Sequence, residues 1–157
     1  MTKKPPENKV VATNRKAHHN YNIIETYEAG MALAGYEVKS LRNGHVNLTD
    51  GYVSFRNNEA YIANIHISPY LNQSSHVSDY EPTRARKLLL HRQQINHLSS
   101  KTREKGLALI PLEVYFSKRG HAKLLLGLGK GKRVGDKRET LRKKSIQREI
   151  ERELKNG

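Results

Sequence analysis

The strongest constraint in this chain is a pair of alternating segments joined by a short turn. From Leu107 to Phe116 the residues Ala108, Ile110, Leu112, Val114 and Phe116 recur at every second position, and from Ala122 to Leu128 so do Ala122, Leu124, Leu126 and Leu128. A period of two is that of a strand with one buried face, and Gly120 supplies the turn, so an antiparallel hairpin is expected. Pro111 cannot donate to a ladder, which makes the first strand an edge strand or places a bulge in it.

Upstream, short apolar runs are punctuated by turn signals. Tyr36 to Leu41 precedes Asn43-Gly44, Val46 to Leu48 precedes Asp50-Gly51, Tyr52 to Phe55 precedes Asn57-Asn58, and Ala60 to Ile67 follows. These predict an antiparallel meander. Thr26 can cap a short helix through Leu33, stopped at Gly35, with Glu28 in its first turn, where the helix dipole favours a carboxylate. Pro82 and Thr83 can open a helix from Arg84 to Leu98, with Leu88, Ile95 and Leu98 on one side and Arg84, Lys87, His91 and Arg92 on the other. Ser99 or Ser100 can cap a further turn through Lys105, closed by Gly106. Of the aromatics, Tyr27, Tyr36, Tyr61 and Tyr115 read as core, whereas Tyr21 and Tyr70 read as core or as stacking surfaces. Short strands with inserted helices in about 115 residues point to a small closed or nearly closed barrel, of which the OB-fold is the common nucleic-acid-binding form.

Both ends differ from this body. Residues 1–13, with Pro5 and Pro6, have no periodicity and are expected to be a mobile leader, order beginning near Asn14. From Lys130 the composition shifts again: Leu141, Ile146, Ile150 and Leu154 form only a thin apolar stripe, expected to be disordered alone and helical against a partner. Only 36% of the 157 residues are apolar, against about 45–50% in ordinary domains, which fits a small core flanked by segments outside it.

Charge is segregated in the same way. Lys and Arg number 29 against 15 Asp and Glu, a net +14. Residues 20–83 carry 3 basic and 7 acidic groups, while residues 84–105 carry 7 and 1, and residues 130–157 carry 11 and 5. Clustered cations are what phosphate neutralisation requires, so a polyanionic partner is the first expectation.

Other chemistries lack their residues. Cys is absent, which excludes disulfides, thiolate-held metals and thiol catalysis and fits a reducing cytoplasm. No metal site is expected from the eight His, since His91 and His97 turn to different helix faces and His18 and His19 are adjacent. Gly127-Leu128-Gly129-Lys130-Gly131-Lys132 fails the Walker pattern at Leu126 and Arg133, and no Gly-x-Ser-x-Gly elbow exists. Those glycines either let an RNA backbone approach between Lys130, Lys132 and Arg133 or form an ordinary strand end and hinge. The longest apolar run, Leu107 to Leu112, is far short of the ~20 residues of a membrane span. An RNA-binding adaptor and a basic ribosomal or tRNA-binding module remain; an RNA-modifying or RNA-cleaving enzyme lacks a site.

Five motifs occur in order: Asn14-Arg15-Lys16-Ala17-His18-His19; Glu28-Ala29-Gly30 continuing to Glu37-Val38-Lys39-Ser40-Leu41-Arg42; Pro82 with Arg84-Ala85-Arg86-Lys87-Leu88-Leu89-Leu90; Gly129-Lys130-Gly131-Lys132; and Asp136-Lys137-Arg138. From Asn14 to Arg138 the chain resembles the SmpB family, the SsrA-binding partners of tmRNA in trans-translation. The resemblance implies a mainly β fold: an OB-fold-like six-stranded antiparallel barrel over residues 14–130, three helices, and a basic C-terminal tail over 131–157. It implies a cytoplasmic, non-catalytic adaptor without cofactor, a monomer with its RNA. The barrel would bind the tRNA-like domain of tmRNA, and the tail would occupy the decoding centre and the empty mRNA channel of a stalled ribosome.

Carried over by position, Asn14, His19, Glu28, Leu89 and Lys123 belong to the RNA-binding face, bordered by Lys130, Gly131 and Lys132. Arg15, Lys16, Arg84 and His91 are candidates beside them. Asp136, Lys137 and Arg138 begin the ribosome-binding tail, with Arg133, Arg142, Lys143 and Lys144. Two positions depart from the pattern: Gly135 stands where the family has a His or Tyr able to stack on a base, and His91 stands where Asn is frequent.

Overall fold

The computed structural model describes residues 9–70, 80–132, 146–150 and 152. The expected hairpin forms as β8 (Leu107–Phe116) and β9 (Ala122–Gly131), paired antiparallel from Leu107↔Lys130 to Phe116↔Ala122. Of the two alternatives at Pro111, the bulge is the one found. The register shifts between Pro111 and Glu113, while β8 lies inside the sheet between β1 (Lys9–Thr13) and β9. The extra residue reverses the alternation. Leu109, Val114 and Phe116 therefore face the main core, whereas Ile110 and Leu112 face outward into a second cluster with Ala17, correcting the single-face reading of this strand.

The seven-stranded sheet runs β1-β8-β9-β2-β7-β5-β4, with β2 Tyr21–Met31, β7 Arg86–Leu89, β5 Glu59–Ala63 and β4 Tyr52–Arg56. A two-stranded ribbon pairs β3 (Val46–Asn47) with β6 (His66–Ile67). Because β4 packs against β8, the sheet curls on itself into a barrel whose last seam is closed by side chains rather than by a ladder. The core inside it includes Leu41, Ile62, Ile65, Leu88, Leu98, Leu124, Leu126 and Leu128. Three helices join the strands: α1 (Arg15–Asn20), α2 (Gly35–Arg42) and α3 (Arg92–Lys101).

Several local expectations are overturned. Lys9–Thr13, assigned to the leader, pair with β8 instead. The helix expected from Thr26 to Leu33 is the long strand β2, so Glu28 lies in a strand and not at a helix N-terminus. Conversely Tyr36 to Leu41, expected as a strand, lies within α2, where the Ala34 N–H donates to Glu37 Oε1 at 2.9 Å. The helix expected from Arg84 is divided: residues 86–89 join the sheet as β7, and only from Arg92 does the chain turn helical.

A buried ion network holds these elements together. Glu37 and Arg86 are both fully buried, and Arg86 Nε donates to Glu37 Oε2 at 2.7 Å. The remaining Arg86 donors reach Ile65 O at 3.0 Å, Tyr80 Oη at 2.9 Å and Pro82 O at 2.9 Å. Arg84 also pairs with Glu37, and Tyr80 donates to Ile67 O at 2.8 Å. Burial pushes the Glu37 carboxyl up, but Arg84, the Ala34 N–H and Arg86 together outweigh it and hold the group below the usual carboxylate range.

Candidate nucleic-acid interface

Four strands lie side by side where β2 ends. Leu89 of β7 faces Gly30 of β2, Gly30 faces Lys123 of β9, and Lys123 faces Tyr115 of β8. Residues directly opposite in antiparallel strands share a face, so these four positions make one transverse row on the outside of the barrel. Glu28, two residues before Gly30, lies on that face as well. A Cβ at Gly30 would stand 3.3 Å from Leu89 Cβ, so the missing side chain is what lets Leu89 lie over β2.

The row floors an open groove of about 1010 Å³. Its lining includes Asn57 and Asn58 of the β4–β5 turn, Glu59 at the start of β5, and His91, Arg92 and Gln94 at the start of α3. Leu89 is 56% exposed, an apolar platform among polar groups. The Tyr115 hydroxyl donates to Glu28 Oε2, and Lys123 Nζ stands 4.0 Å from Glu28 Oε1. Tyr115 is buried, as expected, yet on the outer face and outside the main core cluster. Burial first, and the Glu28 carboxylate second, push its phenol well above the usual range, so the hydroxyl stays a donor. Nearby, His97 Nε2 lies 3.3 Å from Glu25 Oε2. Tyr27 donates to the same carboxyl, which that bond holds below its usual range, while burial pushes the Tyr27 phenol up to about 12.

A second group of expected residues sits at the other end of the β2–β9 ladder. The ladder runs from Gly30↔Lys123 to Tyr21↔Gly131, nine residues along β2 or about 30 Å of strand. There Lys132 N–H donates to Asn20 O at 2.9 Å and Lys132 Nζ to His18 O at 3.0 Å, tying the end of β9 to α1. Arg15 and Lys16 are exposed on α1, and Lys130 is exposed on β9, where it shares a shallow pocket with Lys101 and Lys105. His19 is half-buried, and its Nδ1 has no hydrogen-bond partner.

Two expected residues have structural partners instead. Asn14 is buried as the N-cap of α1: its side-chain N–H groups donate to Pro111 O at 2.9 Å and Leu48 O at 3.3 Å, and its Oδ1 accepts from the Ala17 N–H. Arg84 is paired with buried Glu37 and belongs to neither end of the ladder. The glycine run divides too. A Cβ at Gly127 would meet Leu112 Cδ1 at 2.8 Å and one at Gly129 would meet Tyr21 Cβ at 2.9 Å, so the protein's own side chains fill those gaps; only Gly131 of the three is open. Arg133, Gly135, Asp136, Lys137, Arg138, Arg142, Lys143 and Lys144 lie outside the described residues. The groove residues Asn57, Asn58 and Gln94 were not expected from sequence: Asn57-Asn58 carries only a turn signal, and both residues have positive φ, 52° and 63°.

The fold and groove define a class: a curled antiparallel β barrel with a mixed apolar, acidic and basic groove outside it and a cationic edge about 30 Å along the same strands. Comparisons with known proteins narrow that class. The family model described as SmpB protein matches residues 11–156. The SsrA-binding protein of Enterococcus faecalis is 52% identical over 151 residues, 96% of each chain, and that of Nostoc punctiforme is 53% identical over 156 residues, 99% of each. A chain of the solved structure "tmRNA-SmpB: a journey to the center of the bacterial ribosome" superposes with a TM-score of 0.67 at 48% identity, covering 83% of this chain and 94% of that one. The chain belongs to the SmpB family.

Proposed function

We propose that this protein is a non-catalytic adaptor that binds the tRNA-like domain of tmRNA and delivers it to stalled ribosomes, its C-terminal residues entering the decoding centre and the empty mRNA channel. The observation that carries the reading is the transverse row. In a member of the SmpB family with a net charge of +14, Glu28, Leu89, His91 and Lys123 come together on one open groove from three strands and the residue preceding α3. Such a face offers what structured RNA needs besides cations: an apolar platform for a base, an acceptor, and a cation beside it. Arg15, Lys16, Lys130 and Lys132 at the far end of the ladder add contacts to phosphate. The relatives' names, SsrA-binding protein, and the neighbour's tmRNA-SmpB complex agree with it.

The test is a salt titration of binding to tmRNA, with an elongator tRNA as comparison. If six to ten phosphates are neutralised, affinity for tmRNA should fall about 10³–10⁵-fold between 50 and 200 mM salt, and tRNA should bind more weakly at every salt. Lys130→Ala should lower the salt slope by about one. Affinity that is flat across that range, or equal for the two RNAs, overturns the reading.

A further inference from the structure

We propose that Tyr115 is a positioning residue for RNA recognition, holding Glu28 so that its other carboxylate oxygen, beside Lys123, accepts a hydrogen bond from a guanine amine or a ribose 2′-OH. The inference rests on the RNA-binding reading and extends it from a surface to one contact. A carboxylate in an interface with a polyanion is repelled by every phosphate, so it contributes only where a nucleotide presents a donor. Glu28 is placed for that. Its side chain is 50% exposed at the groove, one oxygen accepts from the Tyr115 hydroxyl, and the other stands 4.0 Å from Lys123 Nζ.

Lys123 offsets the unfavourable field at Glu28, and with its side chain 29% exposed it remains within reach of a phosphate beside the donor nucleotide. Tyr115 gives what an exposed glutamate on a strand lacks, a fixed rotamer. Because β8 and β2 are separated only by β9, the Tyr115 side chain reaches across that strand on the outer face and its hydroxyl meets the Glu28 carboxylate. An acceptor held in advance loses less rotamer freedom on binding.

The experiment is a double-mutant cycle on the full chain with tmRNA, using Tyr115→Phe and Glu28→Gln. Phe keeps the ring in its buried site and deletes only the donor, and a thermal melt run alongside reports the fold. The expected result is about a tenfold loss of affinity for Tyr115→Phe with an unchanged salt slope, and no further loss when it is added to Glu28→Gln. Equal affinity of Tyr115→Phe and wild type, or losses that simply add, would overturn the proposal. If Tyr115→Phe fails to fold, the second measurement decides. 2′-Deoxy substitutions and inosine-for-guanosine substitutions in the tRNA-like domain are screened against wild type and Glu28→Gln. The proposal requires one substitution that weakens wild type and leaves Glu28→Gln unaffected, a deoxyribose site marking the 2′-OH and an inosine site the base amine; no such site overturns it. Wild type that fails to bind tmRNA specifically sinks the underlying reading instead, which separates the two failures.

Discussion

Glu37 carries the most structural consequence of any single charge among the described residues. It is fully buried, and two arginines and a backbone N–H converge on its carboxylate. Glu37→Ala leaves Arg86 charged, buried and short of its partner, and such a break costs about 3–5 kcal/mol, so a large fall in Tm is expected. The pH dependence follows from the direction of its shift. The folded carboxyl sits below the ordinary value of 4.5, so the unfolded chain takes up the proton first. Its stabilisation is complete above that value and is lost as pH falls through the folded one. Wild type should therefore lose stability on acidification below about pH 4.5 more steeply than Glu37→Gln, as read by melts at a series of pH values. Nothing near Glu37 in the sequence marks it as buried. Its partners lie 47 and 49 positions away, and Arg84 and Arg86 read locally as two more cations in a basic block.

Elements were legible where the pattern is long and one-sided, and illegible where it is short or where both faces are covered. The β8–β9 hairpin falls where the period of two and the Gly120 turn place it, although the bulge after Pro111 sets Ile110 and Leu112 on the opposite face from Val114 and Phe116. β2 is different. Its inner end packs on the core, and Tyr21 and Ile23 at the other end pack on the second cluster, so apolar residues appear on both faces and no period of two survives. Thr26 and Glu28 then supply a false helix signal, and the site lost its central strand to that misreading. Arg86 to Leu89 failed for a related reason: alternate burial spans only four residues before α3 begins, too short to compete with the helical spacing that runs through it. β1 had no signal, since Val11 and Ala12 are only partly buried and the pairing that orders them is with residues about 100 positions away. That pairing gives a prediction. Deleting residues 1–13 should remove the β1 ladder and the packing of Val11 on the core, costing about 1–3 kcal/mol. At about 2–4 °C per kcal/mol for a chain of this size, a calorimetric scan should show a drop of several degrees. An unchanged Tm would mean that β1 is peripheral to the fold.

For the whole molecule the question is whether RNA capture and action on the ribosome can be separated. Through Lys132 the chain carries 20 Lys and Arg against 10 Asp and Glu, so removing everything after it leaves a net +10 of the original +14. The groove, the transverse row and the cationic edge formed by α1 and the end of β9 are all retained. Counterion release depends on the phosphates actually neutralised, and none of the cations assigned to that face lies beyond Lys132. A chain truncated after Lys132 should therefore bind tmRNA within about threefold of wild type and with nearly the same salt slope. The removed segment holds nine of the 29 basic residues in 25 positions, and it includes the Asp136-Lys137-Arg138 motif together with Arg142, Lys143 and Lys144. If that segment is what engages the decoding centre, the truncated chain should abolish tagging of stalled peptides while still capturing tmRNA. The two readouts together decide the matter: normal tagging by the truncated chain would assign the tail the wrong task, and a large loss of tmRNA affinity would place part of the RNA-binding face beyond Lys132.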